Sequence, residues 1–321
     1  MRQTAFMISN SAAITLSMLH ALPIAGAVPH LTDPVPTLSW LQALIIGLVQ
    51  GLSEFLPISS SAHLRIIPAL FQQADPGAAV SAIIQLGTTG ALVVYFWQDI
   101  VRITKALFIA IVRIRTAGLR GSVSTIESES QRHDATVGWY IIGATIPIGI
   151  FGLIFQSAIE TVARSLYVIS ATLIVFGIIL WWADATFPAR KSVREFTWGN
   201  TLIMGLAQTL ALIPGVSRSG ATITAGRVLG FSREAAARFS FLLSIPAIVL
   251  SGLYEAAKNI NTDGVPWGPT LLALVVAFLS GYAAIAWLLK YLVNHSMRSF
   301  AIYRVVVGAV VFTLAITEAI K

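Results

Sequence analysis

The chain has 321 residues, of which 56% are hydrophobic and 11% are charged, and its formal net charge is +7. Soluble domains average about 25% charged residues. The low charged fraction and the mean hydropathy of +0.80 together exclude an ordinary soluble domain. The basic residues lie between apolar runs, which argues against a nucleic-acid partner, and the lack of cysteine excludes disulfides and thiolate chemistry.

Residues 1–37 form an N-terminal extension with two interpretations. Arg2 precedes an apolar stretch at 12–22, and Ala25-Gly26-Ala27 follows. This order is typical of a secretory signal with an A-x-A cleavage site, and an uncleaved extra helix is the alternative. We assign no chemistry to this extension.

Apolar runs along the remaining chain predict an all-α polytopic membrane protein. Runs of about 18 uncharged residues are long enough to cross a bilayer as helices. The predicted spans are 76–97, 136–156, 165–183, 239–254, 269–289 and 300–320. Six basic residues between the first two spans predict that 98–135 is a polar cytoplasmic loop, with an amphipathic surface segment at 108–112.

Two apolar segments are too short to span the membrane and end near a proline. Residues 39–54 precede Pro57, and residues 198–213 precede Pro214. Proline interrupts a helix because it lacks an N–H and clashes with the preceding turn. A second short helix follows each break, at 62–71 and 221–229, which predicts two re-entrant hairpins.

The two hairpins begin two similar halves, 38–183 and 198–320. The sequence Gly-Leu-Val-Gln ending at Gln50 aligns with Gly-Leu-Ala-Gln ending at Gln208, and Pro57 aligns with Pro214. Each half is predicted to contain a re-entrant hairpin and three transmembrane helices, with opposite directions through the membrane. We therefore predict an inverted-topology repeat in a single domain, 38–321, whose site lies between the broken helices.

The first break carries polar residues that are costly at membrane depth and are therefore candidates for function. Gln50 and Glu54 lie four residues apart and face one side of a helix, and Gln85 is expected to hydrogen-bond a hairpin. Glu54, Ser60 and His63 are candidate catalytic residues, with Glu54 orienting His63. A buried Gln50–Glu54 pair and serine N-caps are the structural alternatives.

The second break carries Arg218 within Pro-Gly-Val-Ser-Arg-Ser-Gly. The planar guanidinium fork matches phosphate oxygens, and the glycines and serines leave N–H and hydroxyl donors around it. An ion pair between Arg218 and Glu54 is the alternative. The candidate phosphate-binding residues are Gln50, Ser59, Ser61, Ser217, Ser219 and Gly220. Arg65, Arg227 and Arg304 are expected to be snorkelling or interface residues, and a side chain that reaches the cavity or a lipid headgroup is the alternative for each.

The two motifs resemble those of the bacterial undecaprenyl-diphosphatase family. Residues 50–63 are similar to its (E/Q)xxxE–P–SS–H signature, residues 214–222 to its PGxSRSG signature, and residues 232–246 to a further family segment. The resemblance covers about residues 38–320, so the N-terminal extension lies outside it. The first motif position is Gln50, where many members have glutamate, and an amide cannot act as a base.

The resemblance implies hydrolysis of undecaprenyl diphosphate to undecaprenyl phosphate and inorganic phosphate. This reaction recycles the lipid carrier for peptidoglycan and cell wall biogenesis, and it links the family to bacitracin resistance. The implied catalytic residues are Glu54, Ser60, His63 and Arg218. The implied location is the bacterial plasma membrane, with the site facing the outer, periplasmic side.

Partners and cofactors follow from the same resemblance. A polyprenyl diphosphate substrate and membrane lipids are expected, nucleic acid and organic cofactors are not, and a homodimer is left open. Mg²⁺ or Ca²⁺ is the implied divalent cofactor, with Glu54 as a candidate ligand. The competing function is a transporter or flippase for a polyprenyl phosphate or another anion, because inverted repeats with broken helices are common in transporters.

Overall fold

The computed structural model describes residues 38–73, 77–160, 164–259 and 266–320. The signal-like extension predicted for residues 1–37 lies outside the described residues. In chain order the helices are α1 (Trp40–Phe55), α2 (Ser60–Leu70), α3 (Gly77–Tyr95), α4 (Trp97–Ser124), α5 (Glu129–Ile154), α6 (Gln156–Glu160), α7 (Leu166–Thr186), α8 (Trp198–Thr209), α9 (Arg218–Val228), α10 (Arg233–Asn259), α11 (Trp267–Asn294) and α12 (Arg298–Ile316).

Within the described residues, five helices are long and apolar enough to cross a membrane: α5, α7, α10, α11 and α12. Helices α3 and α4 pass the same criteria together but are bent by 79° where they join, so the count is five or six. These helices confirm the prediction of an all-α polytopic membrane protein. The predicted first span, 76–97, meets the criteria only together with α4.

The prediction of a polar loop at 98–135 was wrong. Helix α4 occupies Trp97–Ser124, and α5 begins at Glu129 with Ser128 as its N-cap. Lysine and arginine are good helix formers, and they alternate here with apolar side chains at helical spacing. High charge therefore marked an amphipathic helix rather than a loop, and the predicted amphipathic segment at 108–112 lies inside it.

Both short helices end where the residue before a proline adopts an extended conformation. Leu56 precedes Pro57 and has φ −65° and ψ 140°. Ile213 precedes Pro214 and has φ −86° and ψ 118°, after a 3₁₀ turn at Leu210–Leu212. Proline disfavours the α region for the residue before it, so the sequence itself stops each helix. The returning helices α2 and α9 start two and three residues earlier than predicted.

Each of the short helices α1 and α8 packs closely against a long helix through a glycine. A Cβ atom added to Gly47 would lie 2.9 Å from the Cα atom of Ala273 in α11. A Cβ atom added to Gly205 would lie 2.8 Å from the Cα atom of Ala144 in α5. Small residues allow such close backbone approach between helices in membranes. The helices that lead into the two breaks are therefore held against the bundle in the same way.

Candidate active site

The Glu54 carboxylate, near the end of α1, is the centre of the polar cluster at the first break. Gln50 Nε2 donates to Glu54 Oε2 at 2.9 Å, and Gln85 Nε2 donates to Oε1 at 2.9 Å. The Ser60 hydroxyl also donates to Oε2. The Gln50–Glu54 pair, which was the structural alternative, and the expected hydrogen bond from Gln85 to a hairpin are both present. Three neutral donors thus hold a carboxylate that is only 8% exposed.

His63 makes different contacts from those predicted. Its Nδ1 atom lies 2.7 Å from the Ser59 carbonyl oxygen, and its Nε2 atom lies 2.7 Å from the Tyr303 hydroxyl. A carbonyl only accepts, so Nδ1 carries a proton and neutral His63 accepts from Tyr303 at Nε2. The helical turn that begins at Ser59 directs the ring back onto Ser59. The described contacts of Glu54 and His63 therefore contain no Glu54–His63 hydrogen bond, and Ser60 pairs with Glu54 instead.

At the second break, three hydroxyl and amide groups form a short hydrogen-bonded chain. Gly220 N donates to Ser217 Oγ at 3.1 Å, and Ser217 Oγ lies 3.2 Å from Ser219 Oγ. Ser219 Oγ donates across to the Leu56 carbonyl oxygen at 3.1 Å. Because a hydroxyl has a single proton, this last bond makes Ser219 the acceptor from Ser217. Ser219 therefore connects the second hairpin to the first.

Arg304 joins the two breaks from α12 and is fully buried. Its Nη1 donates to the Pro57 carbonyl at 3.3 Å. Its Nη2 donates to the carbonyls of Gly215 and Val216, each at 2.9 Å. These carbonyls lie where the helices are broken and lack intrahelical partners, so the guanidinium replaces the missing donors. The prediction of Arg304 as a snorkelling residue was wrong.

Arg227 is also buried rather than placed at an interface, which corrects a second expectation. Its Nε lies 3.0 Å from Asp184 Oδ1, and Arg233 Nε lies 2.7 Å from the same atom. Met297 N donates to Asp184 Oδ2 at 2.9 Å. This network links α7, α9, α10 and the start of α12. It anchors the far end of α9, whose first residue is Arg218.

Arg218 and Glu54 line one cavity of about 210 Å³ between the breaks. The Nε and Nη1 atoms of Arg218 are buried and have no hydrogen-bond partner. No ion pair with Glu54 is seen among the contacts of the described residues. A guanidinium that lines a small cavity and has unused donors is a candidate anion site.

The cavity contains some, but not all, of the residues predicted for the site. The predicted residues that line it are Glu54, Ser59, Ser60, Ser61, Ser217 and Arg218. Those that do not line it are Gln50, His63, Ser219 and Gly220. A Cβ atom on Gly220 would lie 2.6 Å from Arg304 Nη1, and the Gly220 N–H already donates to Ser217 Oγ. The predicted role of Gly220 in phosphate binding therefore has no support in this geometry.

Sequence reasoning missed Arg164, Tyr303 and the role of Arg304. Arg164 lines the cavity as a second cationic side chain. An arginine within a predicted span was the available signal for Arg304, because intramembrane charges are rarely without function. For Tyr303 no signal was available, since a tyrosine in a span resembles an interface residue.

The described residues contain no group of three or more His, Cys, Asp or Glu side chains placed to hold a metal ion. Glu54 is the acidic side chain lining the cavity. A carboxylate offers about four acceptor positions, and three are used by Gln50, Gln85 and Ser60. Mg²⁺ is often held by one or two carboxylates together with substrate phosphates. The site therefore fits a cation shared with a bound diphosphate.

Comparison with known proteins identifies the family. The family model described as "Bacitracin resistance protein BacA" matches residues 43–310. The chain belongs to this family. An undecaprenyl-diphosphatase of Pseudarthrobacter chlorophenolicus is 49% identical over 282 residues, covering 86% of this chain and 97% of the relative. Proteins of the same name are 47% identical in Mycolicibacterium smegmatis, covering 86% of this chain and 97% of the relative, and in Chlorobium chlorochromatii, covering 88% and 100%.

Both motifs fall inside the matched region, and so do the two breaks and the cavity that they enclose. Residues 1–37 fall outside the matched region. The family relationship thus covers every residue that the sequence placed in the site.

Proposed function

We propose that the protein is an integral membrane phosphatase that hydrolyses undecaprenyl diphosphate to undecaprenyl phosphate and inorganic phosphate. The observation that carries this proposal is a single cavity lined by the Glu54–Ser60 pair and by Arg218, whose Nε and Nη1 atoms have no hydrogen-bond partner. The relatives named above support the same substrate. Their names also disfavour the competing transporter function. The geometry disfavours it as well, because a transporter would not need a hydroxyl held by a carboxylate beside an anion site.

In the first step, the Arg218 guanidinium binds oxygens of the terminal phosphate. The same contacts offset the negative charge in the transition state, which is the main requirement of phosphoryl transfer. Arg164 adds a second positive charge on the cavity wall. The anionic diphosphate headgroup is thereby drawn to the hairpin break, while the polyprenyl chain remains in the bilayer.

In the second step, Ser60 attacks the terminal phosphorus and its proton passes to Glu54. The Ser60 hydroxyl already donates to that carboxylate, so the base is in place before substrate binds. The new Oγ–P bond forms as the bridging O–P bond breaks and releases undecaprenyl phosphate. Water then attacks the phosphoserine, the Oγ–P bond breaks as Ser60 Oγ takes the proton back from Glu54, and inorganic phosphate leaves. Direct attack by water, with Glu54 as base, is the alternative.

His63 acts in this scheme through Ser59 rather than on the substrate. Its Nδ1–H holds the Ser59 carbonyl, and Ser59 caps the helix that carries Ser60. A divalent cation, Mg²⁺ or Ca²⁺, would be held by Glu54 and the diphosphate. It would supply charge neutralisation on the phosphate oxygens.

We also propose that the two halves form an inverted repeat in the plasma membrane. Ser59 follows Gln50 by nine positions, and Ser217 follows Gln208 by nine positions, in support of the repeat. With these serines as the reference, Pro57 corresponds to Gly215, one residue away from the predicted match.

Basic residues lie in α4, in the 190–194 segment and at the start of α10. They support a cytoplasmic position for the end of the bundle that carries them, and therefore a site that faces the outer side of the membrane. The homodimer stays a prediction.

Phosphate release from a polyprenyl diphosphate by purified protein in detergent tests the function. Wild-type protein should release phosphate, and Arg218→Ala should reduce the rate by about 100-fold or more. Arg190→Ala, at an exposed arginine outside the cavity, should keep the wild-type rate. Transbilayer flux of the lipid in vesicles without any phosphate release would support the transporter instead.

A further inference from the structure

A second polar cavity lies at the other end of α5 from the candidate active site. It has a volume of about 260 Å³ and is lined from the starts of α4, α5 and α10 and from the 3₁₀ turn Val193–Glu195. Its lining includes Ser130 and His133, in the first turns of α5. The active-site cavity is lined by Ile159 and Arg164, which follow the end of α5. The proposed catalytic scheme uses none of the residues of this second cavity.

Four of the five arginine and aspartate side chains of this second cavity are paired with one another before any ligand binds. Asp99 accepts from Arg102 at 2.9 Å and from Arg238 at 2.9 Å, one on each oxygen. Arg102 Nε also lies 2.8 Å from Asp134. The Arg238 guanidinium lies over the ring of Phe96 at 5.3 Å. Two of the guanidinium groups therefore have fixed positions, which lowers the entropy cost of binding an anion.

The cavity carries one positive charge in excess. Arg102, Arg194 and Arg238 supply three positive charges, and Asp99 and Asp134 supply two negative charges. Arg194 is exposed and makes no ion pair in the part of the chain that the structure describes. Since a net charge of +1 is balanced by one negative charge, the cavity matches a phosphodiester better than a doubly charged monoester.

An apolar groove continues from this cavity along the outside of the bundle. It has a volume of about 270 Å³ and runs between α4, α5 and α10. Ile103 and Leu242 line both the groove and the cavity. The remaining groove residues are apolar apart from Thr104, and Ile142 is 41% exposed. A hydrocarbon chain in the groove would place its headgroup directly in the cavity.

We propose that the cavity and groove together bind one anionic glycerophospholipid, with the phosphodiester at Arg194, Arg102 and Arg238 and one acyl chain in the groove. An arginine-lined cavity against an apolar groove is the arrangement by which basic pockets between transmembrane helices hold lipid headgroups. The bound lipid bridges α4, α5 and α10 at the end of the bundle opposite the active site.

Native mass spectrometry of the detergent-solubilised full chain tests the proposal, with dioctanoyl phosphatidylglycerol as the probe. Arg194→Gln removes a guanidinium without breaking an ion pair, and it should weaken binding roughly fivefold. Ile142→Trp should fill the groove and weaken binding to a similar extent. The matched controls, Arg190→Gln and Ile146→Trp, lie outside the cavity and the groove and should bind like the wild type.

Two comparisons identify the source of the phosphate group. Dioctanoyl phosphatidylcholine should bind more weakly than phosphatidylglycerol, and inorganic phosphate should not compete at the same concentration. Equal loss in Arg194→Gln and Arg190→Gln would overturn the proposal, since binding would then reflect surface charge alone. Equal affinity for both lipids, or full competition by inorganic phosphate, would overturn it as well.

Discussion

Ser59 and Ser217 occupy the same unusual backbone conformation at the two helix breaks. Their φ angles are 75° and 71°, in a region that non-glycine residues rarely adopt. Each side chain caps the helix that follows, through Ala62 N at 3.4 Å and Gly220 N at 3.1 Å. Each hydroxyl also lies 3.2 Å from the serine two residues later. Strained residues that persist in a structure often mark functional sites.

The cap at Ser217 should contribute measurably to the second hairpin. Ser217→Ala keeps the Cβ atom at positive φ but removes the acceptor for Gly220 N, so it should destabilise the protein by about 1 kcal/mol. Thermal unfolding in detergent measures the change. Ser128→Ala, which removes the side-chain acceptor for Gln131 N at the exposed start of α5, is the control for a general capping effect. An unchanged unfolding temperature for Ser217→Ala would contradict the assigned role of the cap.

Removing the guanidinium of Arg304 should separate the two breaks. Arg304→Met leaves the carbonyls of Pro57, Gly215 and Val216 without their donor in a buried region. The free energy of unfolding should fall by about 3 kcal/mol or more, and phosphatase activity should fall strongly. Unfolding curves and phosphate release measure both effects.

Arg298→Met provides the matched comparison for Arg304. Arg298 begins the same helix, is exposed and stacks on Trp181. This variant should retain nearly wild-type stability and activity. Similar losses in both variants would show that α12 tolerates no loss of charge, rather than that Arg304 acts as a clamp.

Glu54→Gln should separate the carboxylate's chemistry from its hydrogen bonds. The amide keeps the size of the side chain and one acceptor but cannot take the Ser60 proton. We expect kcat to fall by roughly 100-fold or more, with a smaller change in KM. Steady-state phosphate release gives both constants. Gln50→Ala removes one donor to Glu54 and should cost less than Glu54→Gln, and the reverse order would contradict the base assignment.

Ser60→Ala decides between the two nucleophiles. If Ser60 attacks phosphorus, this variant should lose nearly all turnover, and rapid quenching of the wild type should trap a phosphoserine at Ser60. Near-normal turnover in Ser60→Ala would favour direct attack by water and leave the phosphatase function intact. Ser61→Ala, at the neighbouring serine of the same cavity, is the control.

Tyr303→Phe tests whether His63 acts as a positioning residue. The substitution removes the hydroxyl that donates to His63 Nε2 and keeps the stacked ring. Because the His63–Ser59 contact remains, kcat should fall less than about tenfold. His63→Ala should have the larger effect, since it releases the Ser59 carbonyl. A total loss of activity in Tyr303→Phe would place the tyrosine in the chemistry itself.

The all-α membrane class and the two breaks could be read from the sequence because they depend on local properties. Long uncharged runs have one stable structure in a bilayer. A residue before proline leaves the helical region, so Leu56 ends α1 and Ile213 ends the 3₁₀ turn that follows α8. The prediction of a loop at 98–135 was wrong because it rested on charge alone, and charge does not distinguish a loop from an amphipathic helix.

The sequence by itself determined which residues lie at the breaks, because Glu54, Ser60 and Arg218 belong to short motifs next to the prolines. Only the tertiary structure decided which of them make contact. His63 faces Ser59 and Tyr303 because its position on the first turn of α2 directs it there. Arg304 reaches both breaks because α12 packs beside them, about 240 residues after Ser59 along the chain. Contacts between distant segments depend on how the helices pack, and residue spacing and periodicity do not predict that packing.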